Sequence, residues 1–208
     1  MIFTNISIRL TGVGKDTESL KAEIIRKSIH FLIALAPSMA AINKTFTVFF
    51  LMAGTLGYTF MEYLRLSGIK VPVISSLTSM ASRSKDMGHF VMGPVTLGMG
   101  ALLALLLYPS PVAAIAIYAL AFGDGFASLA GKFFGELRPA FLFGKSIEGS
   151  LVCFSAVFIS SYVVSGSLQI STAAALTAMI VEALPLEDYD NLALPVTVGL
   201  VVQIMTLF

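Results

Sequence analysis

Apolar runs long enough to cross a bilayer make up most of this chain, and short polar connectors separate them. A membrane-spanning helix needs about 20 mainly apolar residues, and only helices and closed barrels satisfy every backbone hydrogen bond inside a bilayer. Charged residues make up 12% of the chain, against about 25% in soluble domains. The sequence therefore predicts an all-α, polytopic integral membrane bundle, formed by a single domain over residues 1–208.

We predict seven transmembrane helices from the apolar runs. They cover residues 28–43, 46–64, 89–108, 111–134, 150–166, 169–185 and 192–208. Glycine and proline interrupt several runs, as is typical of tilted or broken helices packed on their neighbours. Residues 72–86 carry apolar side chains at helical spacing, which predicts an amphipathic helix lying in the membrane interface.

Basic residues are distributed unevenly between the two sides of this predicted bundle. Of the 13 lysines and arginines, Lys44 alone falls in a loop opposite to the N-terminus. This positive-inside pattern places the N-terminus in the cytoplasm and the C-terminus outside. The acidic residues and both histidines map to the same cytoplasmic side, so we expect an active site on that face, as in an enzyme with a cytosolic cosubstrate.

Asp124 is the first group that could carry chemistry, because it lies inside a predicted span between Gly123 and Gly125. An acid in this position needs a partner, a metal or a proton, and a buried ion pair with a neighbouring span is the structural alternative. Small residues, including Gly131 and Gly135, then recur every four positions. They would let a ligand approach closely, although helix packing alone would explain them.

The second group stands at the start of the predicted fifth span. Ser146 can cap that helix, and Gly149 leaves backbone amides accessible at a helix N-terminus, which favours an anion. Lys132 and Lys145 would add positive charge against a triphosphate, and a carboxylate beside them, Glu148, is suited to holding Mg²⁺. An ordinary capped helix with snorkelling lysines is the alternative.

Two further groups lie near the ends of the chain. Asp190 and Asn191 precede the last span, where they can reach a metal or a nucleotide, and Glu182 ends the span before it. Near the N-terminus, Arg26 and His30 share one helical face at a spacing of four residues. We expect Arg26, His30, Glu182 and Asp190 to converge on one face.

Together these groups resemble one family, the CTP-dependent lipid kinases that include dolichol kinase, phytol kinase and the CTP-using diacylglycerol kinase. The residues that carry the resemblance are Gly123-Asp124 with Ala127, Gly131 and Gly135, Gly144-Lys145-Ser146-x-Glu148-Gly149-Ser150, Arg26-Lys27-x-x-His30, Glu62 with Arg65, Glu182-x-x-Pro185, Asp190-Asn191 and Pro195. Around Arg83–Gly88 the match is looser, because Asp86 stands where a glutamate is expected.

The resemblance implies transfer of the γ-phosphate of CTP to the hydroxyl of a membrane lipid alcohol with Mg²⁺, a reaction that depends mainly on positioning and charge neutralisation. It makes Asp124, Glu148 and Asp190 the predicted metal ligands, and Asp124 and His30 the candidates for activating the hydroxyl. It also predicts nucleotide binding by a larger set, which comprises Lys132, Lys145, Ser146, Gly149, Gly131, Arg26 and Asn191. Polyprenols such as dolichol, phytol and diacylglycerol are all acceptable substrates.

Two other functions stay open at the level of the sequence. A phosphatidate cytidylyltransferase would also use CTP, Mg²⁺ and a lipid, and a proton-coupled transporter or membrane scaffold could relay protons through Asp124. The expected partners are CTP, the lipid alcohol and the bilayer, with no nucleic acid, and a homo-oligomer is left open.

Overall fold

The computed structural model describes residues 17–69 and 88–207, with side chains from Leu20 onward. The described part consists of helices and short connections, without a strand, so the all-α class is confirmed for it. The helices are α1 Thr17–Phe31, α2 Ala36–Leu66, α3 Gly93–Leu107, α4 Val112–Tyr118, α5 Gly125–Phe133, α6 Ile147–Ser165, α7 Leu168–Ala183 and α8 Asp190–Met205. The predicted interfacial helix at 72–86 lies outside the described residues.

Three helical stretches of the described chain are long and apolar enough to cross a membrane, namely Leu20–Leu66, Val112–Phe133 and Ile147–Ser165. Two shorter apolar helices, Gly93–Leu107 and Leu168–Ala183, accompany them. Helices therefore occur where the apolar runs predict them. Seven membrane crossings and a cytoplasmic N-terminus stay predictions.

Asn43 interrupts the first long stretch between the first and second predicted spans. Its backbone is extended, with φ −153° and ψ 101°, and its side-chain oxygen accepts a hydrogen bond of 2.9 Å from the amide of Phe46. This is the geometry of a helix N-cap. One helical segment of α2 therefore ends at Asn43 and another begins after it, next to the exposed Lys44.

An interrupted helix lies at the centre of the bundle. A π-helical turn, Ala119–Asp124, joins α4 to α5. The continuous helical stretch Val112–Phe133 that results is far more buried than Leu20–Leu66 and Ile147–Ser165. The side chains of Ile115, Ile117 and Leu120 are almost completely buried, as expected for a helix that is apolar on all faces. Helices α1, α6, α7 and α8 all pack against the π turn, so its last residue, Asp124, lies inside the bundle.

The contact between α3 and α8 depends on a glycine. A Cβ atom on Gly100 would lie 2.0 Å from the backbone carbonyl oxygen of Asn191 in α8. Glycine at a helix interface lets two backbones approach closely. The side-chain amide of the same Asn191 donates a hydrogen bond of 3.0 Å to the hydroxyl of Thr96 in α3. Close approach and a buried hydrogen bond together fix the start of α8 on α3.

We expect Gly100→Ala to lower the free energy of unfolding by about 1–3 kcal/mol, because α8 must move to accommodate the methyl group. Gly54→Ala is the matched control, since a Cβ there has open space around it, and a gain of up to about 1 kcal/mol from helix propensity is expected. Thermal unfolding of the detergent-purified variants measures both. Equal melting temperatures for the two variants would contradict the close α3–α8 contact.

Candidate active site at the interrupted helix

A buried ion pair joins Asp124 to Lys27 of α1. The ammonium of Lys27 donates to Oδ2 of Asp124, and the two side chains are 6% and 5% exposed. Isolated charges are costly to bury in an apolar interior, and pairing offsets part of that cost for both. The structure therefore contains the inter-helix ion pair that the sequence left as the alternative interpretation of Asp124.

His30 approaches the same carboxylate one turn further along α1. Its Nε2 atom lies 3.3 Å from Oδ2 of Asp124 and 2.8 Å from the carbonyl oxygen of Leu120 in the π turn. A carbonyl only accepts hydrogen bonds, so Nε2 carries a hydrogen, and in the neutral ring the free lone pair is on Nδ1. In this arrangement His30 holds the π turn in place and cannot accept a proton at Nε2.

Lys145, Glu182 and Asp190 complete a charged cluster around Asp124. The ammonium of Lys145 donates to Oε1 of Glu182 at 2.6 Å. Burial lowers the pKa of Lys145, but Glu182, Asp124 and Asp190 more than offset this effect, so the pKa is raised. Burial, followed by the nearby carboxylate of Asp124, raises the pKa of Asp190 to about 7. Of the four residues expected to converge, His30, Glu182 and Asp190 therefore lie around Asp124, whereas the Arg26 guanidinium donates to Glu23.

The predicted magnesium ligands do not form a closed cage. In the part of the chain that the structure describes, no three His, Cys, Asp or Glu side chains are close enough to hold an ion together. Asp124 and Asp190 interact with each other, whereas Oε1 of Glu148 accepts a hydrogen bond of 3.2 Å from the amide of Leu137. Mg²⁺ commonly takes one or two carboxylates plus phosphate oxygens and water, and magnesium binding by Asp124, Glu148 and Asp190 stays a prediction.

Three of the residues that the sequence singled out have a buried oxygen without a hydrogen-bond partner among the described residues. These oxygens are Oε2 of Glu148, Oε2 of Glu182 and Oδ1 of Asn191. Unpartnered buried acceptors are uncommon in native proteins and indicate a ligand, an ion or an ordered water. These oxygens are acceptors, which a hydrogen-bond donor or a cation would satisfy.

Ser146, Gly149 and Gly131 lie in a helix contact between α5 and α6. The Ser146 hydroxyl accepts a hydrogen bond of 3.1 Å from the Gly149 amide, which confirms the predicted cap of α6. A Cβ atom on Gly131 would lie 3.2 Å from that hydroxyl, and one on Gly149 would lie 2.9 Å from the Ala127 carbonyl oxygen. The small-residue stripe thus serves helix packing, and nucleotide binding by these three residues stays a prediction.

Arg26 and Lys132, two other predicted nucleotide ligands, meet at Glu23. Arg26 donates to Oε1 of this buried carboxylate, and the ammonium of Lys132 lies 2.7 Å from Oε2. Neither Glu23 nor Lys27 was predicted to take part in the site, although Lys27 belongs to the motif Arg26-Lys27-x-x-His30. A signal was nevertheless present, since Glu23, Lys27 and His30 follow one another at spacings of four and three residues, which places them on one helical face.

Glu62 and Arg65 form another buried pair, at the end of α2. Glu62 is completely buried, and each of its carboxylate oxygens accepts a 2.7 Å hydrogen bond from the Arg65 guanidinium. The same carboxylate accepts from the amide of Val91, ahead of α3. This pair therefore connects α2 to the segment before α3.

Comparison with known proteins agrees with part of the resemblance seen in the motifs. No protein-family model and no solved structure matches the chain. The chain is 28% identical over 144 residues to "Probable phytol kinase, chloroplastic" of Triticum aestivum, covering 61% of this chain and 48% of that protein. It is 24% identical over 156 residues to "Probable phytol kinase 1, chloroplastic" of Oryza sativa subsp. japonica, covering 66% and 50%.

The similarity is to plant phytol kinases. The chain spans about half the length of these curated relatives. At this identity, the similarity supports a relation to a family of lipid kinases and leaves the phosphate donor and the lipid substrate to be proposed.

We expect Lys27→Met to lower the free energy of unfolding by about 3–5 kcal/mol, because it leaves the Asp124 carboxylate buried without its counter-charge. The double variant Lys27→Met with Asp124→Asn removes both charges and should recover most of this loss. Lys44→Met, at an exposed position, should change the stability by less than about 0.5 kcal/mol. Thermal unfolding of the unmodified protein, of the single variants Lys27→Met and Asp124→Asn and of their double variant measures the coupling. Additive effects of the two single changes would contradict the ion pair.

Proposed function

We propose that this protein is a membrane lipid kinase that transfers the γ-phosphate of CTP to the hydroxyl of a lipid alcohol of the phytol, polyprenol or diacylglycerol class. The observation that carries the proposal is the cluster of Asp124, Lys27, Lys145 and Asp190 inside an apolar helical bundle. Ionisable groups in such a place are usually functional. The similarity to plant phytol kinases supports the same reaction type.

The charges of the cluster suit phosphoryl transfer, which is catalysed mainly by positioning and electrostatic stabilisation. The raised pKa of Lys145 keeps its ammonium charged at neutral pH, so it is available to donate to a phosphate oxygen. Asp124 and Asp190 would hold Mg²⁺, which neutralises charge on the donor phosphates when it is bound. A cation there would also relieve the repulsion between these two carboxylates.

We propose Asp124 as the acceptor of the proton of the lipid hydroxyl, with Nδ1 of His30 as the alternative. The contacts described for Asp124 from Lys27 and His30 are both made to Oδ2, so Oδ1 is the oxygen that would face the hydroxyl. His30 has its Nε2 hydrogen directed to the Leu120 carbonyl. In this proposal Nε2 of His30 positions the π turn, and Asp124 accepts the proton of the hydroxyl.

The site is proposed to face the cytosol, because the predicted topology places the basic and acidic residues on that side. CTP would enter from the cytosol, and the lipid alcohol would present its hydroxyl from the bilayer. A phosphatidate cytidylyltransferase would use the same donor but would transfer its nucleotide portion, and the position of a radioactive label separates the two reactions.

Membranes containing this protein should transfer label from [γ-³²P]CTP, and not from [α-³²P]CTP, to an added lipid alcohol in the presence of Mg²⁺. The two labels distinguish transfer of the terminal phosphate from transfer of the nucleotide portion. A panel of phytol, polyprenol and diacylglycerol acceptors, each tested with CTP, ATP and GTP, identifies the substrates. Transfer of the α-label would establish the cytidylyltransferase instead. No transfer together with pH-driven flux through reconstituted vesicles would establish a transporter.

Asp124→Asn should abolish this phosphorylation, because the amide can neither accept the proton nor bind the cation as a carboxylate does. The double variant with Lys27→Met, in which both members of the ion pair are removed together, should remain folded and also be inactive. Thermal unfolding verifies the fold, and label transfer measures the activity. CTP-dependent turnover by the folded double variant would rule out this role of Asp124.

A further inference from the structure

The connector between α5 and α6 exposes several large apolar side chains. We call residues 134–146 the aromatic connector. Phe134 and Phe141 are each 72% exposed, Phe143 is 62% exposed and Leu137 is 44% exposed. Large apolar surfaces that a protein leaves uncovered mark contact with a membrane or with another protein. The connector is therefore a candidate interaction surface, although the sequence pointed only to its charged residues.

The lengths of the flanking helices place the aromatic connector at the edge of a bilayer. It joins the 22-residue stretch Val112–Phe133 to the 19-residue helix Ile147–Ser165, and both are long and apolar enough to cross a membrane. At about 1.5 Å per residue they are roughly 33 and 28 Å long, close to the hydrocarbon thickness of about 30 Å. A segment that joins the ends of two such helices begins and ends at the level of the lipid headgroups.

The aromatic connector folds back on the helix ends and pairs backbone groups internally. The Arg138 guanidinium donates to the carbonyl oxygens of Gly131 and Gly144, both at 2.6 Å. The Leu137 carbonyl accepts a hydrogen bond of 2.9 Å from the amide of Ile147, and its own amide donates to a carboxylate of α6. Backbone groups beside lipid must be satisfied within the protein, because little water reaches them. These contacts keep the connector close to the bilayer edge and suit it to that environment.

Phe143 has an unfavourable backbone conformation for its side chain. Its φ and ψ angles are 49° and 35°, in the left-handed region, where it ends the short turn Ala140–Leu142. A bulky residue rarely adopts this conformation, and the strain persists only where something offsets it. Because the Phe143 ring is mostly exposed, packing inside the protein does little to offset the strain. Burial of the ring in lipid would do so.

We propose that the aromatic connector is a membrane-contacting loop, with Phe134, Phe141 and Phe143 inserted at the boundary between lipid headgroups and acyl chains. Phenylalanine and leucine side chains are typical of protein segments at that depth. The connector includes Lys145, which donates to Glu182, so this contact would hold one edge of the candidate site at the bilayer surface. The proposal concerns contact with lipid and does not depend on the proposed function.

Tryptophan fluorescence tests this contact directly, because the chain contains no tryptophan. Phe141→Trp and Phe143→Trp each introduce a single emitter at an exposed aromatic position. In phosphatidylcholine vesicles brominated near the top of the acyl chain, we expect at least about a twofold loss of emission relative to unbrominated vesicles, because the indole lies within the boundary region. Iodide added to the water should have little effect on either variant.

Two control variants give the limits of the measurement. Ile159→Trp lies inside α6 at a position that is 62% exposed, and brominated lipid should quench it strongly. Tyr189→Trp is also at a 62% exposed position. It lies on the connector between α7 and α8, with the acidic Asp188 and Asp190 on either side. Iodide should quench Tyr189→Trp, and brominated lipid should affect it less than the variants of the aromatic connector.

Thermal unfolding verifies the fold of each variant, and Phe134→Trp replaces Phe143→Trp if the strained position does not accept the larger ring. Quenching of the connector variants by iodide and not by brominated lipid would overturn the proposal, because the connector would then lie in water. Quenching by neither agent would also overturn it and would indicate a protein contact, such as a second copy of the chain. The measurement needs no turnover, so absence of lipid phosphorylation would reject the kinase function without affecting this result.

Discussion

The burial of the Asp124 carboxylate inside an apolar bundle is the constraint on which the rest of the structure depends. A carboxylate in such a place requires a counter-charge, and Lys27 of α1 supplies it. Docking of α1 requires room, and a Cβ atom on Gly125 would lie 2.4 Å from the Phe31 ring. On the opposite side, one on Gly123 would lie 2.7 Å from a methyl group of α6. The two glycines that flank Asp124 are therefore explained by packing on either side of the charge.

Some of the residues that the sequence singled out lie in contacts between helices, and others surround Asp124. Ser146 and Gly131 belong to the α5–α6 contact, and Glu62 belongs to the end of α2. Lys145 and Asp190 belong to the cluster, because they interact with the Asp124 carboxylate. The distinction matters for the proposed reaction, because a charged group can stabilise a transferred phosphate only if it lies close to that phosphate.

Several features of the fold could be predicted from the sequence because they depend on local patterns. Apolar runs predicted the helices, and the break at Asn43 coincides with the end of one predicted span, since asparagine both ends and caps a helix by local hydrogen bonds. The cap at Ser146 was predicted for the same reason. The choice between Arg26 and Lys27 was not accessible in this way. Both lie one turn from His30, and only the orientation of α1 on its neighbour decides which one reaches Asp124.

The sequence by itself determined the all-α class, the positions of the helices and the presence of an acid where an acid is costly. These follow from hydropathy, helix period and capping, which act over a few residues. The tertiary structure alone decided the partners: Lys27 with Asp124, Glu182 with Lys145, and Glu23 with both Arg26 and Lys132. Each pair joins helices that are distant in sequence or selects one of several adjacent charges. Their pairing depends on helix rotation and register, which packing in three dimensions sets.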